Sequence, residues 1–536
     1  MNISEKVSKT ISEVALEFDV SEATVRNWIK TNLLSLSENK EITQDSVNYL
    51  KENVVGKKKL LSRANKQQKD SHNHILLSSE IQQKIESENG SEKIGSEYEN
   101  SLSNSYKNKE GIYYTPDFIV RDMMKDFSGN LSNKTFLDPC CGSGNFIVEA
   151  IRLGFAPENV FGFDVDKNAV EITKKRIFEQ TGYLSENIVV ADFLEQSVTK
   201  KNHFDYIFTN PPWGKKISKT DKQKYSKTFE AGKSVDTAAL FFFACLSIVK
   251  TNGKLGFLLP DSFFNIGAFE DVRKKALEYQ IDRLIDYKNP FKGLLSKAQA
   301  IIITNYKSNK KHLTQCEFNN EINFRSQNSF SENPKLILNF RTSQNEAELI
   351  RHAYNLPHIT LKNKAVFGLG IVTGNNKTIC KTKAKKGLIP MYKGSDISKK
   401  GLKNPSCFIE KDFKNFQQTA PEHLYNAPEK LIYKFISNQL CFFYDTQQRY
   451  ILNSANLLIL NDDFPINGKK VTELLNSDFM TWLFRKMFAT HKVLKSDLQH
   501  LPIHFKYYEK NSNFTESKFL DYLGIQKSDE TYVFKR

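Results

Sequence analysis

The chain has 536 residues and a formal net charge of +16, from 77 basic and 61 acidic side chains. Its length predicts more than one domain, and its charge favours a polyanionic partner. Seven scattered cysteines without a C-x-x-C pair indicate neither a disulfide framework nor a zinc or other metal site, and they favour a reducing cytoplasm. The longest apolar run, residues 238–249, is too short to cross a bilayer, so we expect a soluble, cytoplasmic protein without a membrane partner.

Residues 1–56 are predicted to form a small helical domain. Six apolar residues recur at helical spacing and would pack two short helices against each other: Val14, Ala15, Phe18, Val25, Trp28 and Ile29. The segment resembles helix-turn-helix domains of the MerR and excisionase type. The resemblance implies that Thr24, Arg26 and Asn27 of the second helix meet a DNA groove. The alternative is a helical cap that binds protein or nothing.

Residues 57–105 and residues 106–330 differ in composition. The first stretch is rich in Lys, Asn, Gln, Ser and Glu, and it predicts a polar linker with one or two exposed helices. The second alternates strand and helix signals, which predicts an α/β domain with a doubly wound, Rossmann-like sheet. Ligands of such sheets bind at the carboxyl ends of the strands. The predicted strands are residues 135–138, 160–164, 188–191, 206–209, 254–259, 281–287 and 298–305.

The first predicted strand ends in Asp138 and is followed by a turn of sequence Pro-Cys-Cys-Gly-Ser-Gly. Within this turn Cys140, Gly142 and Gly144 would bring the backbone close to a cofactor, because glycine adopts conformations that other residues avoid. A glycine turn occurs in many nucleotide-binding proteins. The turn therefore predicts a cofactor but does not by itself identify one.

Acidic residues end the next two predicted strands. Asp164 stands where an acidic residue of a doubly wound sheet usually binds ribose hydroxyls. Asp192 and Phe193 offer a carboxylate to an adenine amino group and an aromatic ring to its face. Each of these aspartates could instead cap a helix. Together with the glycine turn, they predict a cofactor that contains an adenine nucleoside.

The fourth predicted strand runs directly into Asn210-Pro211-Pro212-Trp213. The side-chain oxygen of Asn210 and the carbonyl of Pro211 can accept hydrogen bonds from one exocyclic amino group, while Trp213 offers a face for stacking. Two such acceptors favour a pyramidal nitrogen whose lone pair points at an activated methyl group. The turn therefore predicts methylation of an amine on a flat ring, and a nicotinamide enzyme would have no use for it.

The order of these motifs resembles that of the gamma class of N6-adenine DNA methyltransferases, which includes modification enzymes of type I and combined restriction-modification systems. The resemblance implies S-adenosylmethionine as the cofactor and an adenine flipped out of double-stranded DNA as the substrate. It assigns Tyr114, Thr115 and Pro116 to the segment that covers the methionine part of the cofactor. It also places Phe291 where an aromatic ring sandwiches the extruded base, although a ring after Pro290 is often part of a core.

The basic stretch after the catalytic turn begins with Lys215 and Lys216, and it would either close over DNA phosphates or form a solvated loop. Residues 331–536 lack the alternation of strands and helices and resemble a mixed α+β target-recognition domain. The resemblance implies a site-specific methyltransferase of a restriction-modification system or a solitary methylase, with a separate restriction endonuclease or specificity subunit as a further partner. RNA or protein methylation, and a role as the methylation subunit of a larger complex, remain alternatives.

Overall fold

The structure, a computed structural model, describes residues 8–18, 20, 22–30, 34–37, 41–53, 91–102, 113–197, 203–215, 217–291, 296–309, 311–405, 407–411, 416–490 and 492–535. The chain divides into two compact units, Met1–Leu259 with Asn289–Leu295 and Pro260–Lys288 with Ser296–Arg536. The domain boundaries that we expected from composition remain predictions. Among the residues that the structure describes, no helix has both the length and the hydropathy that spanning a bilayer requires.

The N-terminal part of the first unit is helical, as predicted. Its elements are β1 (Ser8–Lys9), α1 (Ile11–Glu17), α2 (Glu22–Lys30), β2 (Ile42–Thr43) and α3 (Gln44–Asn53). Thr10 and Glu13 cap each other's backbone at the start of α1, which satisfies two otherwise free N–H groups. The rings of Phe18 and Trp28 lie 5.6 Å apart, edge to face, in a core that contains the predicted apolar stripe. The packing of the two helices is confirmed, and their contact with DNA stays a prediction.

Five parallel strands form the sheet of the first unit, in the order β7-β6-β3-β4-β5. They match predicted strands and are β3 (Phe136–Asp138), β4 (Val160–Asp164), β5 (Ile188–Val190), β6 (Phe204–Thr209) and β7 (Val249–Pro260). The further helices are α4 (Ser91–Ser101), α5 (Asp117–Met124), α6 (Asn145–Arg152), α7 (Lys167–Thr181), α8 (Phe193–Gln196), α9 (Lys219–Thr228) and α10 (Thr237–Ile248). The central strand β3 is buried along its whole length, as expected for a parallel sheet between helices.

The strand order of this sheet reverses beside β3, because β4 lies on one side of it and β6 on the other. In doubly wound sheets such a reversal opens a crevice at the carboxyl ends of the two strands. Asp138 ends β3, and Asn210 directly follows β6. The fold therefore brings the glycine turn and the Asn-Pro-Pro-Trp turn to the same edge of the sheet.

The second unit contains four sheet strands in the order β11-β10-β8-β9. They are β8 (Tyr279–Asp286), β9 (Ala298–Lys307), β10 (Leu313–Phe318) and β11 (Glu321–Ser326). The first two match predicted strands, whereas the hairpin of β10 and β11 was missed. Its turn residues Asn319 and Asn320 both have positive φ, 54° and 65°, as a two-residue hairpin turn of the primed type requires. An Asn-Asn pair between two short strand-forming runs was the signal that could have predicted it.

The rest of the second unit mixes strands and helices, as predicted for residues 331–536. The strands are β12 (Ala365–Leu369), β13 (Leu388–Tyr392), β14 (Ile397–Ser398), β15 (Gly401–Leu402), β16 (Cys407–Glu410), β17 (Lys430–Lys434), β18 (Phe442–Asp445), β19 (Tyr450–Ile451), β20 (Ala455–Leu460), β21 (Ile525–Ser528) and β22 (Thr531–Phe534). The helices are α11 (Ser262–Asn265), α12 (Glu270–Leu277), α13 (Asn328–Ser331), α14 (Gln344–Asn355), α15 (Asn376–Ile379), α16 (Glu422–Tyr425), α17 (Gly468–Leu475), α18 (Asp478–Phe488), α19 (Lys495–Leu498), α20 (Tyr507–Lys510) and α21 (Glu516–Leu523). One sheet has the order β12-β20-β17-β18 and another β16-β13-β19. Leu431 and Leu458 of the first sheet belong to one apolar core, whereas Ile432 and Leu457 of the same sheet belong to a second core with residues of the other sheet.

Cys380 and Cys407 form a disulfide, which corrects the expectation drawn from the cysteine pattern. Cys380 follows α15 and Cys407 begins β16, and their Cα atoms lie 5.4 Å apart. Sequence spacing could not predict the pair, because it depends on β16 returning beside Lys381, with which Phe408 forms a β-bridge. The other five cysteines are free.

Candidate active site

A cavity of about 560 Å³ opens at the carboxyl ends of the parallel strands in the first unit. The predicted site residues that line it are Tyr114, Thr115, Asp138, Cys140, Gly142, Asp164, Asp192, Phe193, Asn210, Pro212 and Lys215. The predicted residues outside its lining are Pro116, Gly144, Pro211, Trp213 and Phe291. The sheet thus collects into one cavity residues that lie as far apart in the chain as Tyr114 and Lys215.

The glycine turn after β3 has a conformation that larger residues would disturb. Gly142 and Gly144 have φ angles of 50° and 89°, in the left-handed region that favours glycine. A Cβ at Gly142 would lie 2.9 Å from the ring of Tyr114, and one at Gly144 would lie 2.8 Å from the side chain of Thr173. The Thr173 hydroxyl also donates a hydrogen bond to the Gly142 carbonyl at 2.8 Å. Helix α7 therefore fixes the path of the turn.

A second group of hydrogen bonds joins α7, the turn and the segment before α5. Arg176 donates through Nη1 to the Ser143 carbonyl at 2.7 Å and to Asn145 Oδ1 at 2.6 Å. Asn145 Nδ2 in turn donates to the carbonyl of Thr115 at 2.8 Å. We did not single out Arg176 or Asn145 from the sequence, because an arginine and an asparagine on helices have no recognisable spacing to the turn.

The carboxyl groups of Asp138 and Asp164 lie behind the turn with few donors. Burial raises the pKa of Asp138 to about 7 and that of Asp164 to about 6. Asp138 Oδ1 accepts from the Cys140 N–H at 3.1 Å, and the Asp164 oxygens accept from the N–H groups of Gly142 and Asp166 at 2.9 Å each. Because buried carboxylates are costly without donors, hydroxyl or amino groups of a ligand would stabilise their charged forms.

The helix-cap alternative is correct for Asp192 but not for Asp164, because the residue that caps the next helix is Asp166. Asp192 Oδ1 accepts from the N–H of Leu194 at 2.9 Å and so caps α8. Asp166 caps α7 by accepting from the N–H of Asn168 at 2.9 Å, and its other oxygen accepts from the Tyr98 hydroxyl of α4. Both acids also line the cavity, so a cap does not exclude contact with a ligand. We had not singled out Asp166.

Two stacked rings form an apolar wall of the cavity. The rings of Phe193 and Phe241 lie 5.6 Å apart with an interplanar angle of 28°, and both residues line the cavity. Such a wall offers a face for a planar ring system. Phe241 escaped the sequence reasoning because it belongs to the continuous apolar run of α10, which is typical of a core helix.

Asn210 carries an acceptor that the protein leaves without a partner. Its Nδ2 donates to the carbonyl of Tyr113 at 2.6 Å, which fixes the orientation of the amide. Its Oδ1 is buried and has no hydrogen-bond partner among the residues that the structure describes. An unsatisfied buried acceptor costs about 1–3 kcal/mol, so a donor supplied by a ligand would be bound favourably here.

Tyr113, Trp213 and Phe291 form an aromatic cluster next to the Asn210 turn. The ring centroids are 5.8 Å apart for Tyr113 and Trp213, 5.5 Å for Tyr113 and Phe291, and 5.4 Å for Trp213 and Phe291. Trp213 and Phe291 are buried, and Trp213 Nε1 donates to the carbonyl of Leu258 at 3.3 Å. Trp213 and Phe291 were predicted from the sequence, whereas Tyr113, the neighbour of the predicted cofactor residue Tyr114, was not expected to contact them.

The described residues that were predicted to contact DNA lie on α2 and in the lining of the cavity. Arg26 is exposed on α2 and Thr24 is partly buried there. Lys215 lines the cavity of the sheet. The side chain of Asn27 and the whole of Lys216 lie outside the described residues. These DNA contacts stay predictions.

Two family models match the chain, "N-6 DNA Methylase" over residues 89–353 and "TaqI-like C-terminal specificity domain" over residues 389–503. The Type II methyltransferase M.VspI of Vibrio sp. (strain 343) is 47% identical over 393 residues, which are 73% of this chain and 96% of that protein. The chain belongs to the N-6 DNA methylase family. It is therefore a DNA methyltransferase, and its cofactor is S-adenosylmethionine.

More distant comparisons agree with this assignment. The modification methylase CviBIII of Paramecium bursaria Chlorella virus NC1A is 27% identical over 192 residues, 35% of this chain and 48% of that protein. The chain thus matches about half the length of this modification methylase. The solved structure of the Type IIL restriction-modification enzyme MmeI in complex with DNA covers 76% of this chain and 70% of its own, with a TM-score of 0.53 and 12% identity. At this identity the likeness shows a shared fold alone.

Proposed function

We propose that this DNA methyltransferase transfers a methyl group from S-adenosylmethionine to the N6 amino group of an adenine flipped out of duplex DNA. The observation that carries the proposal is the side-chain oxygen of Asn210, a buried acceptor without a partner among the described residues. The hydrogen bond from Asn210 Nδ2 to the Tyr113 carbonyl prevents the side-chain amide from flipping, so that Oδ1 keeps its position. An exocyclic amino group is a donor that suits this oxygen.

The two acceptors of the turn would activate the adenine nitrogen. Its lone pair is delocalised into the ring, so N6 is a poor nucleophile in the free base. Hydrogen bonds to Asn210 Oδ1 and the Pro211 carbonyl would draw both N–H groups to one side and turn the lone pair towards the methyl group. Asn210 Oδ1 and the Pro211 carbonyl would hold N6 in place while it takes up the methyl group, and the proton that N6 then loses would pass to solvent water. No catalytic His or Cys and no covalent intermediate are required.

The cavity offers groups for each part of the cofactor, and S-adenosylmethionine supplies the electrophilic methyl group when it is bound. We propose that Asp164 accepts hydrogen bonds from the ribose hydroxyls and that Asp192 accepts one from the adenine amino group. Phe193 would contact the adenine face. The methionine part would lie along the glycine turn and residues 113–116. The support for these roles is that the glycines leave no room for a Cβ and that the buried carboxyl group of Asp164 has few donors. Asp192 and Phe193 line the same cavity.

The aromatic cluster would hold the flipped base by stacking. Trp213 and Phe291 lie edge to face at 5.4 Å, whereas a base between two parallel rings needs about 7 Å, from two contacts of about 3.5 Å each. The rings must therefore separate when the base enters. The stacking then offsets part of the few kcal/mol that extruding a base from duplex DNA costs.

The match to a specificity domain over residues 389–503 favours duplex DNA over RNA or protein as the substrate. We propose that the chain is the modification enzyme of a restriction-modification system, with a nuclease on another polypeptide. We also propose that it acts in the cytoplasm, where the DNA lies. Thr24 and Arg26 of α2 would add contacts to DNA outside the recognition site.

Labelled cofactor tests the proposal. The full chain would be incubated with isotope-labelled S-adenosylmethionine and duplex DNA, RNA or protein, and the products would be digested and identified by mass spectrometry. We expect the label in N6-methyladenine from duplex DNA alone. Label in methylcytosine, in RNA or in protein would contradict the proposal.

A further inference from the structure

One segment of the second unit carries surface charge of a single sign. The lysine segment, residues 376–403, contains nine lysines and one acidic residue, Asp396. Asp396 is buried, and its carboxylate accepts a hydrogen bond from the backbone N–H of Lys393 at 2.8 Å. Residues 381–387 are all exposed. These seven residues, the exposed run, therefore present lysine side chains to solvent with no acidic residue of the run between them.

The lysines at the centre of this segment differ from buried lysines of the same unit. Lys430 pairs with Asp445 at 2.7 Å. By contrast, the ammonium groups of Lys383, Lys385 and Lys386 form no ion pair with any residue in the described ranges. Like charges held close together repel each other, so the segment is stabilised when a polyanion lies against it.

The exposed run is also held firmly at its base. Lys381 and Phe408 exchange two backbone hydrogen bonds of 2.9 Å. The Cys380–Cys407 disulfide and the pairing of β13 with β16 close the same base. Because the ends of the run are fixed in the free protein, binding a partner costs less conformational entropy than ordering a free tail would.

We propose that the lysine segment binds the phosphate backbone of duplex DNA and supplies sequence-independent affinity to the target-recognition region. The inference rests on the proposed function, because duplex DNA is the polyanion that this enzyme must hold. Contacts to phosphates position a protein on the duplex without reading its bases. The segment would thus strengthen binding at every sequence by the same factor.

Salt dependence of binding separates this role from a merely solvated surface. The full chain would be compared with a triple variant, Lys383→Gln, Lys385→Gln and Lys386→Gln, and with a control triple variant at exposed lysines of the same unit, Lys506→Gln, Lys510→Gln and Lys518→Gln. The Kd for a short duplex of mixed sequence would be measured between about 50 and 200 mM salt. The slope of log K against log salt is negative, and each lost phosphate contact reduces its steepness by about 0.9. We therefore expect the steepness to fall by up to about 2.7 in the first variant and not at all in the control.

Several outcomes would overturn the proposal. They are an unchanged slope in the first triple variant, an equal fall in the control, and a loss of affinity for single-stranded RNA or an acidic protein with none for duplex DNA. Equal thermal denaturation midpoints would show that all three proteins fold alike. The methylated product would be identified separately, at saturating DNA. The salt slope tests DNA binding by the lysine segment even if adenine proves not to be the target, so the failure of one proposal can be told from the failure of the other.

Discussion

The cofactor side of the cavity and its acceptor side are built in different ways. On the cofactor side, Thr173 and Asp164 bond the glycine turn from two directions, so the turn is fixed by the protein itself. On the acceptor side, Asn210 Oδ1 has no partner among the described residues, and the nearby rings of Trp213 and Phe291 contact each other. Hydrogen bonds within the protein thus fix the backbone of the glycine turn, whereas the acceptor of the target site is left to the substrate.

The largest effect is expected when the unpartnered acceptor is removed. Asn210→Ala should lower kcat for methyl transfer by a factor of about 10²–10³, as loss of one preorganised hydrogen-bond partner does at other active sites. The Kd for S-adenosylmethionine should change little, because the cofactor side keeps its bonds. Calorimetry for the cofactor and single-turnover kinetics for transfer measure the two quantities. If the variant lost cofactor affinity by the same factor as it lost rate, Asn210 would also be needed to bind the cofactor, which would contradict the separation of the two sides.

Neutralising a buried acid of the cofactor side should change the pH dependence of stability. The pKa of Asp138 is raised by burial from 3.8 to about 7. The folded state therefore binds this proton more tightly than the unfolded state, and the resulting stability is complete below pH 3.8 and lost as the pH rises through about 7. Between about pH 5 and pH 8 the cofactor-free protein should lose roughly 2–3 kcal/mol of unfolding free energy from this group.

Asp138→Asn cannot ionise and should lack this loss. Denaturant unfolding of both proteins at the two pH values measures the difference. If the difference in unfolding free energy between the two proteins were the same at both pH values, the burial of Asp138 would not have the electrostatic consequence that we assign to it.

Removing a ring from the aromatic cluster should lower kcat/KM for DNA without lowering the affinity for S-adenosylmethionine. Stacking of a base on an aromatic ring is worth about 1–3 kcal/mol, so Trp213→Ala should lower kcat/KM for unmethylated DNA by roughly 10- to 100-fold. Trp213→Phe retains a ring and should recover most of this loss. Equal values of kcat/KM for the Ala and Phe variants would argue that Trp213 serves only the packing of the first unit.

The smallest effect is expected when the hydrogen bond between α7 and the glycine turn is removed. Thr173→Val keeps the shape of the side chain but loses the hydrogen bond to the Gly142 carbonyl, which has a length of 2.8 Å. One such bond contributes about 1 kcal/mol, so the Kd for S-adenosylmethionine should rise roughly fivefold with kcat nearly unchanged. Thr173→Ser keeps the hydroxyl and serves as the control. Parent-like cofactor affinity in the Val variant would show that the turn needs no support from α7.

Much of this arrangement could be predicted from the sequence because it depends on short-range order. The parallel strands were visible as apolar runs, and each was followed within a few residues by a polar or glycine-rich turn. Asp138, Asp164, Asp192 and Asn210 follow successive strands, so the fold class alone predicted that they would share one crevice.

The orientation of these groups could not be predicted. Asn210 donates to the carbonyl of Tyr113, 97 positions earlier in the chain, and no local pattern relates the two. The same holds for the ring of Phe241 beneath Phe193 and for the Cys380–Cys407 pair, because each contact depends on how distant segments pack. The two asparagines at the β10–β11 turn were a local signal, and there the sequence could have predicted more.

The role of Asn210 is tested most directly by a structure of the full chain with a cofactor analogue and a duplex that contains its methylation site. We expect an extruded adenine whose N6 lies at hydrogen-bond distance, about 2.7–3.2 Å, from Asn210 Oδ1. An adenine that remains stacked in the duplex, or an extruded base whose amino group meets other acceptors while Asn210 Oδ1 stays unbonded, would contradict it.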